Sequence, residues 1–267
     1  MRVELNPLEE TLVLPLWHRA QISKAYPSLL NDPKAVELVD YLQYDFSTFE
    51  QRFTVWNSLW FAARARQFDD KLPTYIGTHP RASVVNLGAG LDTAFYRVDN
   101  GLIHWYDLDL PNVIALREQL LPETRRIRYI AKSLFDMSWR ADIGHTDNGL
   151  FILASGVLVW FEEAQVRHFL SSLADVLPGA ELVFDANSKV GASAINRSLK
   201  DVDMTDVEVT WELEDALIIT RWDGRLNLIE QIPLFAIPRN PAWGEQALKI
   251  MDSCDQINAY TIVHLKV

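Results

Sequence analysis

The sequence predicts an α/β protein with a doubly wound, mostly parallel sheet, and three observations support this fold class. Five short apolar strands alternate with helix-like segments after Pro80, which is the pattern of successive βαβ units. A glycine-containing turn follows the first of these strands. The length of 267 residues suits one domain of this kind.

The segment up to residue 79 is predicted to be helical. Its least regular helix lies within Arg2–Ala25. The next begins at Pro33 with Asp32 as its N-cap, because proline suits the first turn and aspartate accepts hydrogen bonds from the free amides there. A third covers Phe53–Phe68, where aromatic residues recur at helical spacing.

From residue 80 onward, apolar and β-branched runs predict strands, and the segments between them predict helices. The five parallel strands are expected at Ser83–Leu87, Leu102–Asp107, Ile127–Ala131, Leu150–Ala154 and Glu181–Asp185. Helices are expected at Val113–Leu121 and Glu162–Val176. Three later strands are expected at Leu217–Trp222, Arg225–Gln231 and Tyr260–Leu265.

The charge balance argues against nucleic acid and membrane partners. Lys and Arg total 25 against 36 Asp and Glu, so the net charge is −11, and such a surface repels phosphate backbones and anionic lipids. The longest apolar stretch, Leu150–Phe161, is shorter than the roughly 18–20 residues that cross a bilayer. Cys254 is the single cysteine and forms no internal disulfide. We therefore expect a cytoplasmic protein, and we predict neither a secretory signal nor a metal site.

The turn after the first strand is the most informative segment, and residues 84–93 read VVNLGAGLDT. Gly88 and Gly90 lack a Cβ, so the chain can turn sharply and a ligand can approach the backbone. Thr93 stands where a dinucleotide fingerprint has its third glycine, so the G-x-G-x-x-G pattern is incomplete. A purely structural turn is the alternative interpretation of these glycines.

Two acids follow at the end of the second predicted strand. Asp107 and Asp109 come 19 and 21 residues after Gly88. An acid about 20 residues past such glycines can accept hydrogen bonds from both ribose hydroxyls of a nucleotide. The alternatives are a solvated strand end for Asp107 and an acid in the first turn of the next helix for Asp109. Together, the glycines and acids predict a nucleotide-type cofactor at the carboxyl ends of adjacent strands.

With motifs elsewhere in the chain, these residues resemble the leucine carboxyl methyltransferase family, especially its bacterial and archaeal branch similar to the tetracenomycin-type O-methyltransferases. The resemblance covers nearly the whole chain. The matching segments are Glu10–Leu12, Trp17–Ala20, Asn31–Ala35, Arg64–Asp69, Asn86–Thr93, Asp107–Pro111 and Gly156–Phe161. Their order and spacing are more specific than any one of them alone.

This resemblance implies a class I, Rossmann-like methyltransferase core with S-adenosylmethionine as cofactor. It divides the single domain into a helical amino-terminal cap (1–79), a cofactor-binding core (80–187), and a lid insert with the carboxyl-terminal strands (188–267). The amino-terminal helices and the insert after the fifth strand are expected to close over the active site.

The resemblance also implies roles for individual residues. Arg64 matches the arginine that grips the methionine carboxylate of the cofactor, and a guanidinium suits a carboxylate because it donates two parallel hydrogen bonds. Arg66 is equally available by composition. Arg19 matches a basic residue that makes a similar contact. Gly88 matches the cofactor-contacting glycine, and Asp109 matches the ribose-binding acid.

Two positions depart from the family pattern. After the third strand the family often has Asp-Leu against the adenine, and this chain has Ser133-Leu134. Leu134 can still pack on the ring, and Ser133 can hydrogen-bond to its amine. After the fourth strand the family frequently carries a glutamate, and Ser155 stands there instead. This serine removes a charge beside the expected methionine moiety, but the turn remains compatible with cofactor binding.

The acceptor is predicted from the resemblance and from the lack of a clear general base. His18, His168 and His264 are scattered singly, so we name no catalytic residue. A carboxylate is ionised at neutral pH and needs no base, whereas a phenol of pKa about 10 usually needs one. We therefore predict O-methylation of a small organic acceptor, with a carboxylate favoured over a phenol. A phenol acceptor would return the search for a base to His18 or His264.

Three other functions remain open. A protein carboxyl terminus is an alternative acceptor. A nicotinamide-dependent oxidoreductase would use the same glycines and acid, but Thr93 and the helical prefix argue against it. A non-catalytic cofactor-binding protein is supported by Ser155.

A bulky or aromatic acceptor would suit the tryptophans at the family's lid and pocket positions, although core packing explains each of them equally well. These are Trp17, Trp56, Trp60 and Trp160.

Overall fold

The computed structural model describes residues 7–42, 44–201 and 207–267. The helices of this part are α1 (Pro7–Ala25), α2 (Pro33–Leu42), α3 (Ser47–Arg52), α4 (Val55–Thr78), α5 (Ala94–Val98), α6 (Pro111–Leu120), α7 (Glu163–Val176), α8 (Lys189–Asp201), α9 (Ile219–Trp222) and α10 (Glu245–Gln256). The strands are β1 (Ser83–Leu87), β2 (His104–Asp109), β3 (Ile127–Ala131), β4 (Leu150–Ala154), β5 (Glu181–Asn187), β6 (Asn227–Pro233) and β7 (Tyr260–Lys266).

Helices α1 to α4 precede the sheet, in the segment predicted to be helical. Asp32 caps α2 as predicted, because its Oδ1 accepts a hydrogen bond from the amide of Ala35 at 3.0 Å. Helix α4 is longer than predicted and continues through Pro73 to Thr78. The part of the first predicted helix before residue 7 lies outside the described residues. Helix α1 packs on both α2 and α4, so the two longest helices of this segment lie together.

The strands form one seven-stranded sheet in the order β3-β2-β1-β4-β5-β7-β6. Strands β1 to β5 pair in parallel, whereas β7 is antiparallel to both of its neighbours, β5 and β6. The prediction of a doubly wound, mostly parallel sheet is therefore confirmed. The strand order reverses between β1 and β4, and open α/β sheets bind ligands at the carboxyl ends of the strands at such a switch point.

Strand β2 begins and ends two residues later than predicted. The shift matters for the candidate acids, because it leaves Asp107 inside the strand and puts Asp109 at its carboxyl end. The central strands β1 and β4 are buried along their whole length, as expected where helices cover both faces of a parallel sheet.

One predicted strand is wrong. Residues 217–222 form a helical turn at Ala216–Ile218 followed by α9, because the apolar residues there follow a helical period rather than an alternating one. Ala216 and Ile219, three residues apart, are buried, whereas Leu217 and Ile218 between them are exposed. The carboxylate of Asp215 accepts the amide hydrogen of Leu217 at 2.9 Å and so caps this turn.

Candidate active site

A cavity of about 510 Å³ opens at the carboxyl ends of β1, β4 and β5. Helices α1 and α4 contribute one wall, and α8 with the chain that follows it contributes another. Five of the predicted site residues line this cavity. They are Arg19, Arg64, Gly88, Gly90 and Ser155.

The glycine turn after β1 requires residues without a side chain. Gly88 and Gly90 have φ values of +58° and +46°, in the left-handed region that favours glycine. A Cβ on Gly88 would lie 2.5 Å from the side chain of Val157. The turn therefore brings bare backbone to the cavity, as a ligand that approaches closely would need.

Asp109 is joined directly to this turn. Its Oδ2 accepts a hydrogen bond from the amide of Gly90 at 2.8 Å, and its Oδ1 accepts one from the amide of Leu110 at 2.7 Å. Burial raises the pKa of this carboxyl, and these two hydrogen bonds oppose the shift. Half-buried at the end of β2, Asp109 lies beside the cavity but is not part of its lining.

Asp107 has different partners and does not line the cavity. Its side chain is completely buried, and Arg117 donates to its Oδ2 from two nitrogens, at 2.6 and 3.1 Å. Trp105 and Asn86 donate to its Oδ1 at 2.8 and 3.0 Å. The structure places this acid in a buried ion pair with Arg117 and outside the cavity lining, and its expected contact with the cofactor stays a prediction.

Arg64 projects from α4 into the cavity at the turn that follows β4. Its guanidinium lies 4.8 Å from the ring centroid of Trp60 and 5.3 Å from that of Phe61. It also lies against Gly156, where a Cβ would be 2.5 Å from Nη1. Its ion pair is with Asp185, at 3.4 Å, so both charges border the same part of the cavity.

Arg19 belongs to a buried ionic cluster, which we define as Arg19, Asp32, Asp69, Asp92, Thr93 and Arg97. Arg19 donates to Asp32 at 3.2 Å and to the carbonyl of Leu91 at 3.0 Å. Arg97 donates to both oxygens of Asp69, at 2.6 and 3.0 Å, and to Asp32 at 2.7 Å. The cluster thus links α1, α4, α5 and the glycine turn by long-range contacts.

Ser133 and Leu134 follow β3 and are not among the residues that line the cavity. Leu134 is buried in the apolar core, and its carbonyl accepts a hydrogen bond from the Trp139 indole at 3.0 Å. Ser133 is half-buried, and its hydroxyl accepts the amide hydrogen of Phe135 at 3.3 Å. Their contact with an adenine ring stays a prediction.

The histidines singled out in the sequence do not face the cavity. His18 is fully buried, hydrogen-bonds to the Ser58 hydroxyl at 2.8 Å and stacks on Phe61. Burial, together with the nearby charge of Arg19, lowers the pKa of His18 to about 3. His264 hydrogen-bonds to Glu181 at the amino end of β5, whereas the cavity lies at the carboxyl ends of the parallel strands. His168 is exposed on α7.

Several lining residues were not identified from the sequence: Asn86, Asp92, Arg97, Asp185 and Asn187. A signal was available for Asp185, because it follows the buried run Leu182–Phe184 near the carboxyl end of a parallel strand. The same reasoning selected Asp109. Within the described residues there is no group of three or more His, Cys, Asp or Glu suited to a metal ion. No helix in this part of the chain is long and apolar enough to cross a membrane.

Comparisons with known proteins test the family resemblance. The family model for leucine carboxyl methyltransferase matches residues 13–174. The tetracenomycin polyketide synthesis O-methyltransferase TcmP of Streptomyces glaucescens is 31% identical over 185 residues, which cover 69% of this chain and 67% of that protein. The S-adenosyl-L-methionine-dependent methyltransferase dpfgK of Gibberella zeae is 26% identical over 233 residues, 80% of this chain and 78% of that one.

A solved structure of a DUF574 family protein from Streptomyces avermitilis superimposes with a TM-score of 0.58. It covers 91% of this chain and 96% of its own, and at 13% identity the likeness concerns the fold alone. The family model covers more than half of the chain, so the resemblance found in the motifs is confirmed. The chain belongs to the leucine carboxyl methyltransferase family and is a methyltransferase.

Proposed function

We propose that this protein transfers a methyl group from S-adenosylmethionine to an oxygen of a small organic acceptor, with a carboxylate favoured over a phenol. The observation that carries the proposal is a single cavity bordered by the glycine turn, by Arg64 and by aromatic side chains. Its volume of about 510 Å³ lies in the range of small-molecule sites, which supports a small acceptor.

The residues at the carboxyl edge of the sheet fit this cofactor. The guanidinium of Arg64 is suited to the methionine carboxylate, because it presents several N–H groups in a planar fork. Gly88 and Gly90 allow the cofactor to lie close to the backbone. Asp109, held by two amides, is suited to the ribose hydroxyls. Ser133 and Leu134 are the proposed adenine contacts.

When bound, S-adenosylmethionine supplies an electrophilic methyl group on a positively charged sulfur. The chain's part is to align an acceptor oxygen with that methyl group and to exclude water. Trp56, Trp60, Phe61 and Trp160 line the cavity and provide large apolar surfaces for this purpose. Their ring faces are also suited to a nearby cation.

The preference for a carboxylate rests on the ionisable groups of the cavity. Among the described residues that line it, none is a histidine. Burial raises the pKa of Tyr260 to about 12, so its hydroxyl stays protonated at neutral pH. The two carboxylates of the lining, Asp92 and Asp185, each lie within ion-pair distance of an arginine. An acceptor that is already ionised suits this environment better than a phenol, which has to lose a proton.

Two measurements test the proposal. Calorimetry should detect binding of S-adenosylmethionine and S-adenosylhomocysteine, and neither NAD nor NADP should compete. A methyl donor with a labelled methyl group, supplied with a panel of small acids and phenols, should give a labelled product that releases methanol in mild base, as carboxyl esters do and aryl ethers do not.

The outcomes separate the alternatives. A base-stable product, or a rate that follows ionisation of a phenol, would contradict the carboxylate preference. Labelling of protein carboxyl termini in place of small acids would contradict the small acceptor. Binding of nicotinamide cofactors without binding of the sulfonium compound would contradict the proposed reaction as a whole.

A further inference from the structure

Asp185 borders the cavity near the carboxyl end of β5 and has no role in the proposal so far. We infer that it is a cofactor-binding residue, which accepts hydrogen bonds from the α-ammonium group of S-adenosylmethionine while the neighbouring Arg64 binds the α-carboxylate. This inference rests on the proposed function. It deepens that function by assigning the two charges of the amino-acid head group to two adjacent side chains.

The contact between Arg64 and Asp185 leaves both groups with unused hydrogen-bonding capacity. It consists of one contact of 3.4 Å between Nη1 and Oδ2. Elsewhere in the protein, Arg97 and Asp69 form a two-bonded pair at 2.6 and 3.0 Å. A guanidinium has five N–H donors and a carboxylate has about four acceptor positions, so the looser pair can take further partners.

The turn after β4 adjoins both side chains. The amide of Gly156 donates to Oδ1 of Asp185 at 2.5 Å, which fixes that carboxylate at the edge of the cavity. The same glycine leaves room for Arg64, because a Cβ there would lie 2.5 Å from Nη1. An anion on β5 and a cation on α4 therefore lie side by side at this turn, which matches the two charges of an amino-acid head group.

The other charges around the cavity favour Asp185 as the ammonium partner. Ser155, on the same turn, is uncharged. The second lining carboxylate, Asp92, belongs to the buried ionic cluster and faces Arg19 at 3.8 Å and Arg97 at 3.6 Å. The side chain of Asp185 is 7% exposed, so an ammonium beside it would exchange water for a charged partner in a shielded site.

The test compares two ligands that differ in the amine alone: S-adenosylhomocysteine and its desamino analogue, each titrated by calorimetry. The variant is Asp185→Asn, which keeps the shape and an oxygen that can accept the Gly156 amide hydrogen. The matched control is Asp252→Asn, an exposed acid that pairs with Arg239 and is not among the residues that line the cavity. We expect the unmodified protein and the control to prefer S-adenosylhomocysteine by about 10- to 100-fold, and Asp185→Asn to lose most of that preference.

Equal affinity of the unmodified protein for the two ligands would overturn the inference, as would a full preference kept by Asp185→Asn. In both cases the proposed function stands, because S-adenosylhomocysteine still binds. Failure of the unmodified protein to bind S-adenosylhomocysteine would instead contradict the proposed function. Thermal melting checks that the variants fold, and Asp185→Ser is titrated in the same way if the asparagine variant does not.

Discussion

The two arginine sites on the border of the cavity differ in how completely the protein satisfies them. In the buried ionic cluster, Arg97 makes two hydrogen bonds to Asp69 and one to Asp32, all between 2.6 and 3.0 Å. Arg64 has one ion-pair contact of 3.4 Å with Asp185 and otherwise lies against aromatic rings. The first arrangement is typical of a side chain that stabilises the fold. The second is typical of a side chain that is available to bind a ligand.

Arg19 resembles Arg97 more than Arg64 by this criterion. It lines the cavity, but its nitrogens already donate to Asp32 and to the carbonyl of Leu91. The family resemblance assigns Arg19 to the cofactor, and that role stays a prediction. The comparison teaches that position in a site and availability for a ligand are separate properties. Four variants test it, beginning with the largest expected effect.

Arg97→Met should destabilise the protein by about 3–5 kcal/mol, because it leaves the carboxylates of Asp32 and Asp69 buried without their main partner. Urea unfolding measures the change. Arg128→Met is the control, since Arg128 forms an exposed pair with Glu123 and should change the free energy of unfolding by less than about 1 kcal/mol. Equal effects of the two variants would mean that the buried cluster does not stabilise the fold.

Arg64→Ala should weaken the binding of S-adenosylhomocysteine by about 1.5–3 kcal/mol, the range for a hydrogen bond to a charged group. The fold should be retained, because the amide of Gly156 still donates to Asp185 after the single 3.4 Å contact with Arg64 is lost. Arg66→Ala, two residues along the same helix, removes a more exposed arginine paired with Asp70 and should leave the affinity unchanged. Calorimetry on both variants decides the assignment. An unchanged affinity in folded Arg64→Ala would transfer the carboxylate contact to Arg19, which also lines the cavity.

His18 tests whether the packed interior of the amino-terminal helices, beside the cavity, excludes water and protons. The pKa of its imidazole is about 3 in the folded protein, against 6.5 as its ordinary value. Below pH 6.5 the unfolded chain therefore binds a proton that the folded protein does not, so the free energy of unfolding falls as the pH drops from 6.5 towards 3. Between pH 7 and pH 5 this loss is about 2 kcal/mol.

The measurement is the difference in unfolding free energy between pH 7 and pH 5, determined by urea unfolding. His18→Gln carries no titrating group and should lack about 2 kcal/mol of the pH response of the unmodified protein. His168→Gln, the same substitution at an exposed position of α7, is the matched control. Identical pH responses in all three proteins would show that His18 is accessible to protons in the folded state.

The sequence predicts the parts of the site that depend on local pattern. The glycines after β1 and the acid at the end of β2 were found because a strand, a turn and an acid follow one another along the chain. The two acids differ in their partners: Asp107 lies inside β2 in a buried ion pair with Arg117, whereas Asp109 lies at the carboxyl end of β2 and accepts the amide hydrogen of Gly90. Local pattern therefore predicted the strand and its acids but not the partner of each acid.

Long-range contacts were beyond the reach of local pattern. Asp32 was identified as a helix cap from its neighbours, and its Oδ1 does cap α2. Its Oδ2 also accepts hydrogen bonds from Thr93 and Arg97, which lie 61 and 65 residues away. Asp185 likewise meets Arg64 across 121 residues. These contacts do not follow from the spacing of residues along the sequence, because they depend on how the amino-terminal helices pack on the sheet.

The smallest expected effect is that of Gly156→Ala, which tests the comparison of Arg64 with Arg97 most directly. This variant displaces the Arg64 side chain without changing any charge. Gly156 and Gly179 have φ values of +69° and +86°, so alanine at either position should reduce stability by about 1–2 kcal/mol. A Cβ at Gly156 would lie 2.5 Å from Nη1 of Arg64, whereas one at Gly179 has no neighbour within 4 Å. Gly156→Ala should therefore also lower the affinity for S-adenosylhomocysteine, by about 10-fold, and Gly179→Ala should not. Equal affinities in the two alanine variants would mean that the position of Arg64 is not what the ligand requires, and the arginine would then belong with Arg97 among the groups that serve the fold.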